Sequence, residues 1–337
     1  MSGGNDKWRV DMDNDELIPE IGIVDYEGAQ TASVLGMTDL LAAAEARARE
    51  RGGGNQLRLR ISHWRTAAGQ SAPERTYDTL PGALGHPTVI IVPPGLGDLP
   101  PTAEAEVYAD WLREQHAKGS VLGSVCKGAF LLGETGLFAG RTVTTHWTYE
   151  EQLVRTFPGV SINTDRIIID DGDILTAGGV MAWIDLSLKL IERFLGPSVM
   201  LDTARAFLVD PPGREQSYYS AFSPRLNHGD AAILKVQHWL QAIEGKETRL
   251  GVLAEQAGLE ERTFMRRFQK ATGHTTGEYV QRLRMHKARD LLQFTQDPVG
   301  TVAWKVHYID PSAFRKVFNR IVGLTPAEYR QRFRGGL

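Results

Sequence analysis

The strongest constraint on what this chain can fold into is an internal duplication near its carboxyl end. The first copy reads Leu253-Ala254, Gly258-Leu259, Phe264, Phe268, Gly273 and Glu278-Tyr279. The second reads Val302-Ala303, His307-Tyr308, Phe314, Phe318, Gly323 and Glu328-Tyr329. Ala254 and Ala303 are 49 residues apart, whereas Phe264 and Phe314, Phe268 and Phe318, Gly273 and Gly323, and Tyr279 and Tyr329 are each 50 apart. The extra residue falls in a turn, where insertions are tolerated. A repeat held in register over this length is one supersecondary unit written twice. In each copy a short apolar helix meets a tight turn, and a second helix follows with two Phe four residues apart on its inner face.

Those buried Phe positions fix which residues of the second helices face outward. In the first copy the outward set contains Arg262, Thr263, Arg266, Arg267 and Lys270, and in the second Ser312, Arg315, Lys316, Asn319 and Arg320. The charge distribution agrees. From Gly229 onward there are 18 Lys and Arg against 11 Asp and Glu, a net of +7, leaving −10 for the rest of a chain whose total is −3. An acidic body with a basic tail implies a polyanionic partner for the tail alone. Lys and Arg anchor phosphates, while Arg, Asn and Ser read base edges, so the expected partner is double-stranded promoter or operator DNA. An amphipathic helix over Glu278 to Phe294 would hold the two readers near one duplex turn apart, about 34 Å.

Residues 250–335 resemble the AraC/XylS-type DNA-binding domain. The resemblance is carried by Leu253-Ala254, Gly258-Leu259, Arg262-Thr263-Phe264-Met265-Arg266-Arg267-Phe268, Gly273, Ala288-Arg289-Asp290-Leu291-Leu292 and Gly323-Leu324-Thr325-Pro326-Ala327-Glu328-Tyr329-Arg330. His307 departs from it, standing at the turn position where that family has glycine. The site calls for φ > 0, which histidine adopts at a cost.

Ahead of this module, strand-like and helix-like segments alternate: Ile21 to Val24, a helix over Thr38 to Arg51 stopped by Gly52-Gly53-Gly54, strands over Leu57 to Trp64 and Thr88 to Val92. A helix over Ala103 to Lys118, a strand over Ser120 to Val125, a helix over Gly128 to Thr135 and a strand over Arg141 to Thr145 follow. The pattern continues with a helix near Tyr149 to Phe157, a hairpin of Arg166 to Ile169 with Ile174 to Thr176, and a long helix over Gly178 to Leu195. This alternation predicts an α/β fold, a doubly wound and mainly parallel sheet of flavodoxin-like or amidotransferase-like type, followed by an all-α domain of two helix-turn-helix units. The expected boundaries are a flexible leader at 1–19, the α/β domain at 20–208, a Pro- and Ser-containing linker at 209–229 and the DNA-binding domain at 230–337.

The single cysteine excludes an intrachain disulfide and any cysteine-cluster metal site, and no metal or cofactor is expected. With no signal peptide and no spanning apolar stretch in the sequence, the expected location is the cytoplasm. Cys126 lies in Gly123-Ser124-Val125-Cys126-Lys127-Gly128-Ala129, where a strand turns into a helix, with Ser124 and Gly128 two residues to either side as a nucleophile elbow requires. A helix amino terminus there would favour the thiolate. His146 follows the next strand as a base or hydrogen-bond partner, Trp147 beside it would line a small pocket, and Gly95 after Pro93-Pro94 would offer a backbone amide.

The span from Ile21 to Leu208 is similar to the PfpI-like domain of the class I glutamine-amidotransferase-like fold. The combination of the two halves resembles GlxA-type transcriptional regulators, through Ser124 to Leu132, Gly140-Arg141, Thr145-His146-Trp147 and Thr176 to Val180. The resemblance implies a sensory or dimerising α/β domain, and hence a homodimer controlled by a small-molecule effector bound near Cys126, His146, Trp147 and Gly95. Enzymatic members place a carboxylate after the first strand; here Ala32-Ser33 stand in that region, and Lys127 replaces the histidine that follows the cysteine in PfpI-type peptidases. Asp25, Glu27 and Asp185 are the remaining acidic candidates. The alternative reading is a cysteine-dependent amidase, hydratase or peptidase carrying a regulatory DNA-binding tail, with Cys126 and His146 as its catalytic candidates.

Overall fold

The structure, a computed structural model, describes residues 18–52, 59–67, 69–70, 72–83, 85–98, 102–220 and 222–334. Residues 1–17 of the expected leader, Gly53-Gly54 of the expected helix stop and Leu57-Arg58 of the second expected strand lie outside them. The chain divides into two compact units between Gln216 and Ser217, within the stretch read from the sequence as linker.

The first unit is built on a seven-stranded sheet. Its strands are β1 (Glu20–Val24), β2 (Arg60–Arg65), β3 (Glu74–Asp78), β4 (Val89–Val92), β5 (Val121–Val125), β8 (Ile168–Asp170) and β9 (Ile174–Ala177), in the order β3-β2-β1-β4-β5-β9-β8. Pairings among β2, β1, β4, β5 and β9 are parallel, and antiparallel β3 and β8 close the two edges. Runs such as Val89-Ile90-Ile91-Val92 are buried on both faces, which is why they lack the alternation of a half-exposed strand. One face packs on α1 (Thr31–Gly52), α5 (Trp183–Leu195) and α6 (Pro197–Phe207), through Met37, Leu41, Leu186 and Met200. The other packs on α2 (Thr102–Ala117), α3 (Gly128–Gly133) and α4 (Glu150–Thr156), through Tyr108, Leu112, Phe130 and Leu153. The doubly wound, mainly parallel architecture is as the sequence indicates.

Four local readings are corrected. The first helix begins at Thr31 rather than Thr38, and Gly36 lies inside it, where a Cβ would meet the Trp183 ring at 2.6 Å. Residues 141–145 do not add a strand to the main sheet: β6 (Thr142–Val143) pairs with β7 (Ser161–Ile162) in a separate two-stranded ribbon. β3, sequence Glu74-Arg75-Thr76-Tyr77-Asp78, gave no strand signal because an exposed edge strand needs no apolar face. The helix read from Gly178 starts at Trp183, since Gly179 is left-handed at φ 98°.

The second unit is wholly helical: α7 (Ala231–Ala242), α8 (Leu250–Ala257), α9 (Glu261–Thr272), α10 (Thr276–Phe294), α11 (Val299–Lys305), α12 (Pro311–Val322) and α13 (Pro326–Phe333). The repeat is legible in its two cores. Leu253, Ala254, Phe264, Phe268 and Tyr279 bury together with α7, and Val302, Ala303, Phe314, Phe318 and Tyr329 bury with the second half of α10. Both copies end the second helix on a left-handed glycine, Gly273 or Gly323. The helix that follows each opens with a capping box, Thr275 with Glu278 and Thr325 with Glu328.

Candidate functional site

At the carboxyl end of β5 the chain turns directly into α3, and Cys126 takes the strained left-handed conformation at the corner, φ 53°. Its N–H donates to Ala177 O at 2.7 Å, and the Thr145 hydroxyl donates to Cys126 O at 2.7 Å, so β9 and the segment after β6 hold the corner from both sides. Gly128 is required there, because a Cβ would stand 2.6 Å from the carbonyl oxygens of Val92 and Pro93. The cysteine is 1% exposed. Burial pushes the thiol above its ordinary range, against the opposing pull of the Lys127, Gly179 and His146 backbone amides and the Lys127 charge. Burial thus opposes the thiolate that a helix amino terminus alone would favour.

His146 contributes to this ring through its backbone. Its imidazole Nδ1 accepts the Thr148 N–H at 3.3 Å and lies 2.7 Å from the Thr148 hydroxyl, and the ring stacks on Trp147 at 3.8 Å between centroids. Burial lowers its basicity. Trp147 is half-buried against that ring. Gly95 is buried beneath Tyr26, where a Cβ would stand 2.8 Å from the Tyr26 hydroxyl and 3.7 Å from the Lys127 side chain. Gly95 thus sits beside the residue that follows the cysteine.

Two residues of this region were not singled out from the sequence. Tyr26 donates to Pro93 O at 3.0 Å, and its phenol is pushed up by burial and by Cys126. Gln30 is buried with its Nε2 4.0 Å from Met181 Sδ and its Oε1 unpartnered. Both follow β1 at the carboxyl edge of the sheet, the edge where ligands gather in such folds; that rule was the available signal.

The acidic candidates lead elsewhere. Asp185 is held by Arg214 at 2.7 and 2.5 Å, Asp25 pairs with Arg65 at 3.2 Å, and Glu27 is exposed. Ser33 donates its hydroxyl to Gln30 O. Among the described residues no carboxylate figures among the groups that act on the Cys126 thiol. A buried thiol whose charged form is disfavoured is a weaker nucleophile than an exposed one.

In the helical unit the two second helices bury Phe264, Phe268 and Thr272, or Phe314, Phe318 and Val322, and turn their other faces outward. Arg262, Arg266, Lys270, Ser312, Arg315, Lys316, Asn319 and Arg320 are exposed, and Thr263 is half-buried. Arg267 differs from the set it was grouped with. Its guanidinium grips the Asp230 carboxylate at 2.8 and 2.6 Å, and Asp230 also caps α7 by accepting the Ile233 N–H. Arg320 donates to Gln281 Oε1 at 2.5 Å from its exposed position. Met265 and Gln269 are exposed beside Arg262 and Arg266 and were missed, because neither adds charge. In the second turn His307 adopts φ 66°, the same value as Gly258, as its position in the repeat requires.

Residues 79–193 match the DJ-1/PfpI family and residues 253–332 match a helix-turn-helix domain family. The chain is 26% identical over 232 residues to the HTH-type transcriptional regulator CdhR of Pseudomonas aeruginosa, a match covering 68% of this chain and 69% of that protein. It is 27% identical over 224 residues to the HTH-type transcriptional regulator GlxA of Rhizobium meliloti, covering 66% of this chain and 68% of the relative. Isonitrile hydratase of Pseudomonas putida is 36% identical over 136 residues, 40% of this chain and 54% of the enzyme, and that likeness is confined to the α/β half. Fold, sites and relatives define a class: a DJ-1/PfpI domain joined to an AraC-type helix-turn-helix domain. The CdhR and GlxA regulators share this architecture, which supports a DNA-binding transcriptional regulator, and both matches extend beyond the α/β half.

Proposed function

We propose that the α/β unit of this regulator holds a small-molecule effector at the Cys126 elbow and that occupancy there changes operator affinity. One observation carries the reading. Backbone strain at Cys126 and three amides around its buried thiol are maintained where, among the described residues, no carboxylate acts on that thiol, which suits binding better than turnover. Tyr26, Gly95, His146 and Trp147 are the neighbours assigned to the effector. Operator contacts are assigned to Arg262, Thr263, Arg266, Lys270, Ser312, Arg315, Lys316, Asn319 and Arg320, with Arg267 as a brace. The working division keeps residues 20–208 for sensing and pairing, 209–229 as connector and 230–337 for DNA.

The protein is further read as a cytoplasmic homodimer. Exposed Leu201, Phe207 and Leu208 on and just after α6 support a pairing surface, and among the described residues no helix is long and apolar enough to cross a membrane. The effector reading is tested by a thermal-shift screen of metabolites on the full chain, followed by operator titrations. A compound that raises Tm should change operator Kd in wild type and lose that effect in Cys126→Ala. An effect undiminished in Cys126→Ala would place the effector elsewhere.

A further inference from the structure

The stretch that ends the α/β unit is fastened to it residue by residue. Arg214 grips Asp185 through Nε and Nη2 and reaches Met181 O at 3.4 Å. Glu215 accepts the Ile167 N–H at 3.1 Å and pairs with Arg166 at 2.8 Å. Gln216, 2% exposed, drives its side-chain amide inward, where Nε2 lies 2.9 Å from each of Thr144 Oγ1, Thr145 O and Arg166 O. Gly178 makes the room: a Cβ there would stand 1.8 Å from Gln216 Nε2.

The segments that Gln216 touches are the ones that shape the elbow. Thr145 donates to Cys126 O, and Gly179, next to Gly178, presents its amide to the thiol. Gln216 itself is only half satisfied, since its Oε1 is buried without a partner. A buried amide in that condition is held by its donors alone and is costly to keep, so its docking is balanced rather than locked. The next residue, Ser217, opens the helical unit, where its carbonyl accepts from Arg289 of α10 at 2.6 Å. α10 is the helix that joins the two readers.

We propose that Arg214-Glu215-Gln216 is a strap that couples the elbow to DNA binding: docked, Gln216 fixes the Thr144-Thr145 and Gly178-Gly179 walls around Cys126, and undocked, it loosens those walls and the start of the helical unit together. The proposal rests on the effector reading only for what occupies the elbow; the coupling is a property of the chain and is measurable without an effector. Coupling of this kind is reciprocal, so DNA must act on the elbow as the elbow acts on DNA.

The experiment uses the full chain, an operator duplex obtained by binding-site selection, and iodoacetamide as probe of Cys126. Wild-type alkylation should change by about fivefold or more when the duplex is saturating. Gln216→Ala, which removes the anchor, and Gly178→Ala, which evicts it sterically, should both speed alkylation and shift operator Kd by about fivefold or more. Arg51→Ala, at a surface ion pair with Asp202, is the control and should alter neither. Unchanged wild-type alkylation with DNA bound overturns the coupling without any variant. Variants that melt as wild type yet leave operator Kd unmoved overturn it equally, reducing the strap to a structural tie. Neither outcome bears on whether an effector binds, which the Cys126→Ala titrations decide separately.

Discussion

The two helix-turn-helix units are the same object inside and different objects outside. Their cores superpose by sequence: a Phe pair on each second helix, a Tyr packed edge-on against the later Phe at 5.2 or 5.6 Å, a left-handed glycine stop and a Thr-Glu capping box. Their outer faces share only two basic positions, Arg266 with Lys316 and Lys270 with Arg320. Arg262, Met265, Arg266 and Gln269 stand where the second unit has Ser312, Arg315, Lys316 and Asn319. The supports differ too. Asp310 caps α12 by accepting the Ser312 and Ala313 N–H groups, whereas Glu260 makes no such cap; α9 is braced instead by Arg267 on Asp230, where the second unit has half-buried Val317. The two cores are thus alike, while the outward faces assigned to DNA differ.

That comparison can be broken at several points. The largest effect is expected at Arg315→Ala, which should cost about 1–3 kcal/mol of operator affinity and relax preference at one base position, as loss of a bidentate guanine contact does. Met265→Ala, at the matching position, should cost much less. Its loss should be mimicked by replacing thymine with uracil in the first half-site, because an apolar side chain reads the thymine methyl. Equal losses at the two positions, measured by fluorescence anisotropy, would contradict the asymmetry.

Next in size is the contrast between adjacent arginines of α9. Arg266→Ala should lower the slope of log Kd against log salt by about 1, the signature of one lost phosphate contact, with Tm unchanged. Arg267→Ala should lower Tm by a few degrees and leave the salt slope alone, since its charge is spent on Asp230. Asp310→Ala should lower Tm by about 4 °C. The Ser312 and Ala313 amides hold the Asp310 carboxyl below its usual range. Its stabilisation is therefore full above the unfolded carboxylate pKa and is lost as pH falls through the lower folded value. Asp310→Asn, which keeps a cap, should abolish that acid dependence. Glu260→Ala should do nothing comparable. The smallest effect is at the turn. His307→Gly should stabilise by no more than about 1 kcal/mol, the left-handed penalty of a side chain less glycine's greater loss of chain entropy.

How much of this was legible in the sequence depended on what kind of force placed each residue. The duplicated cores were readable because burial repeats at helical spacing, and the positive φ of His307 was readable because register alone put it opposite Gly258. The elbow was readable from Ser124 and Gly128 around Cys126, since a sharp strand-to-helix corner admits only small neighbours. What escaped was long-range. The Arg267 brace depends on Asp230, 37 residues away, and the Gln216 strap depends on Thr144 and Thr145, 72 and 71 residues away. Nothing local distinguishes such a residue from a solvated one. The state of the thiol escaped for the same reason: the helix start that favours a thiolate is local, while the burial that overrules it is tertiary. Tyr26 was hidden because a tyrosine after a strand is ordinary until the fold sets it over Gly95.

The central claim is that one chain presents two non-identical readers. Binding-site selection with the full-length protein at two salt concentrations tests it most directly. The expected product is a bipartite motif whose half-sites differ in sequence and lie about one helical turn, 34–36 Å, apart, with affinity falling steeply as salt rises. Two identical half-sites, a single half-site, or no enriched sequence at all would contradict it.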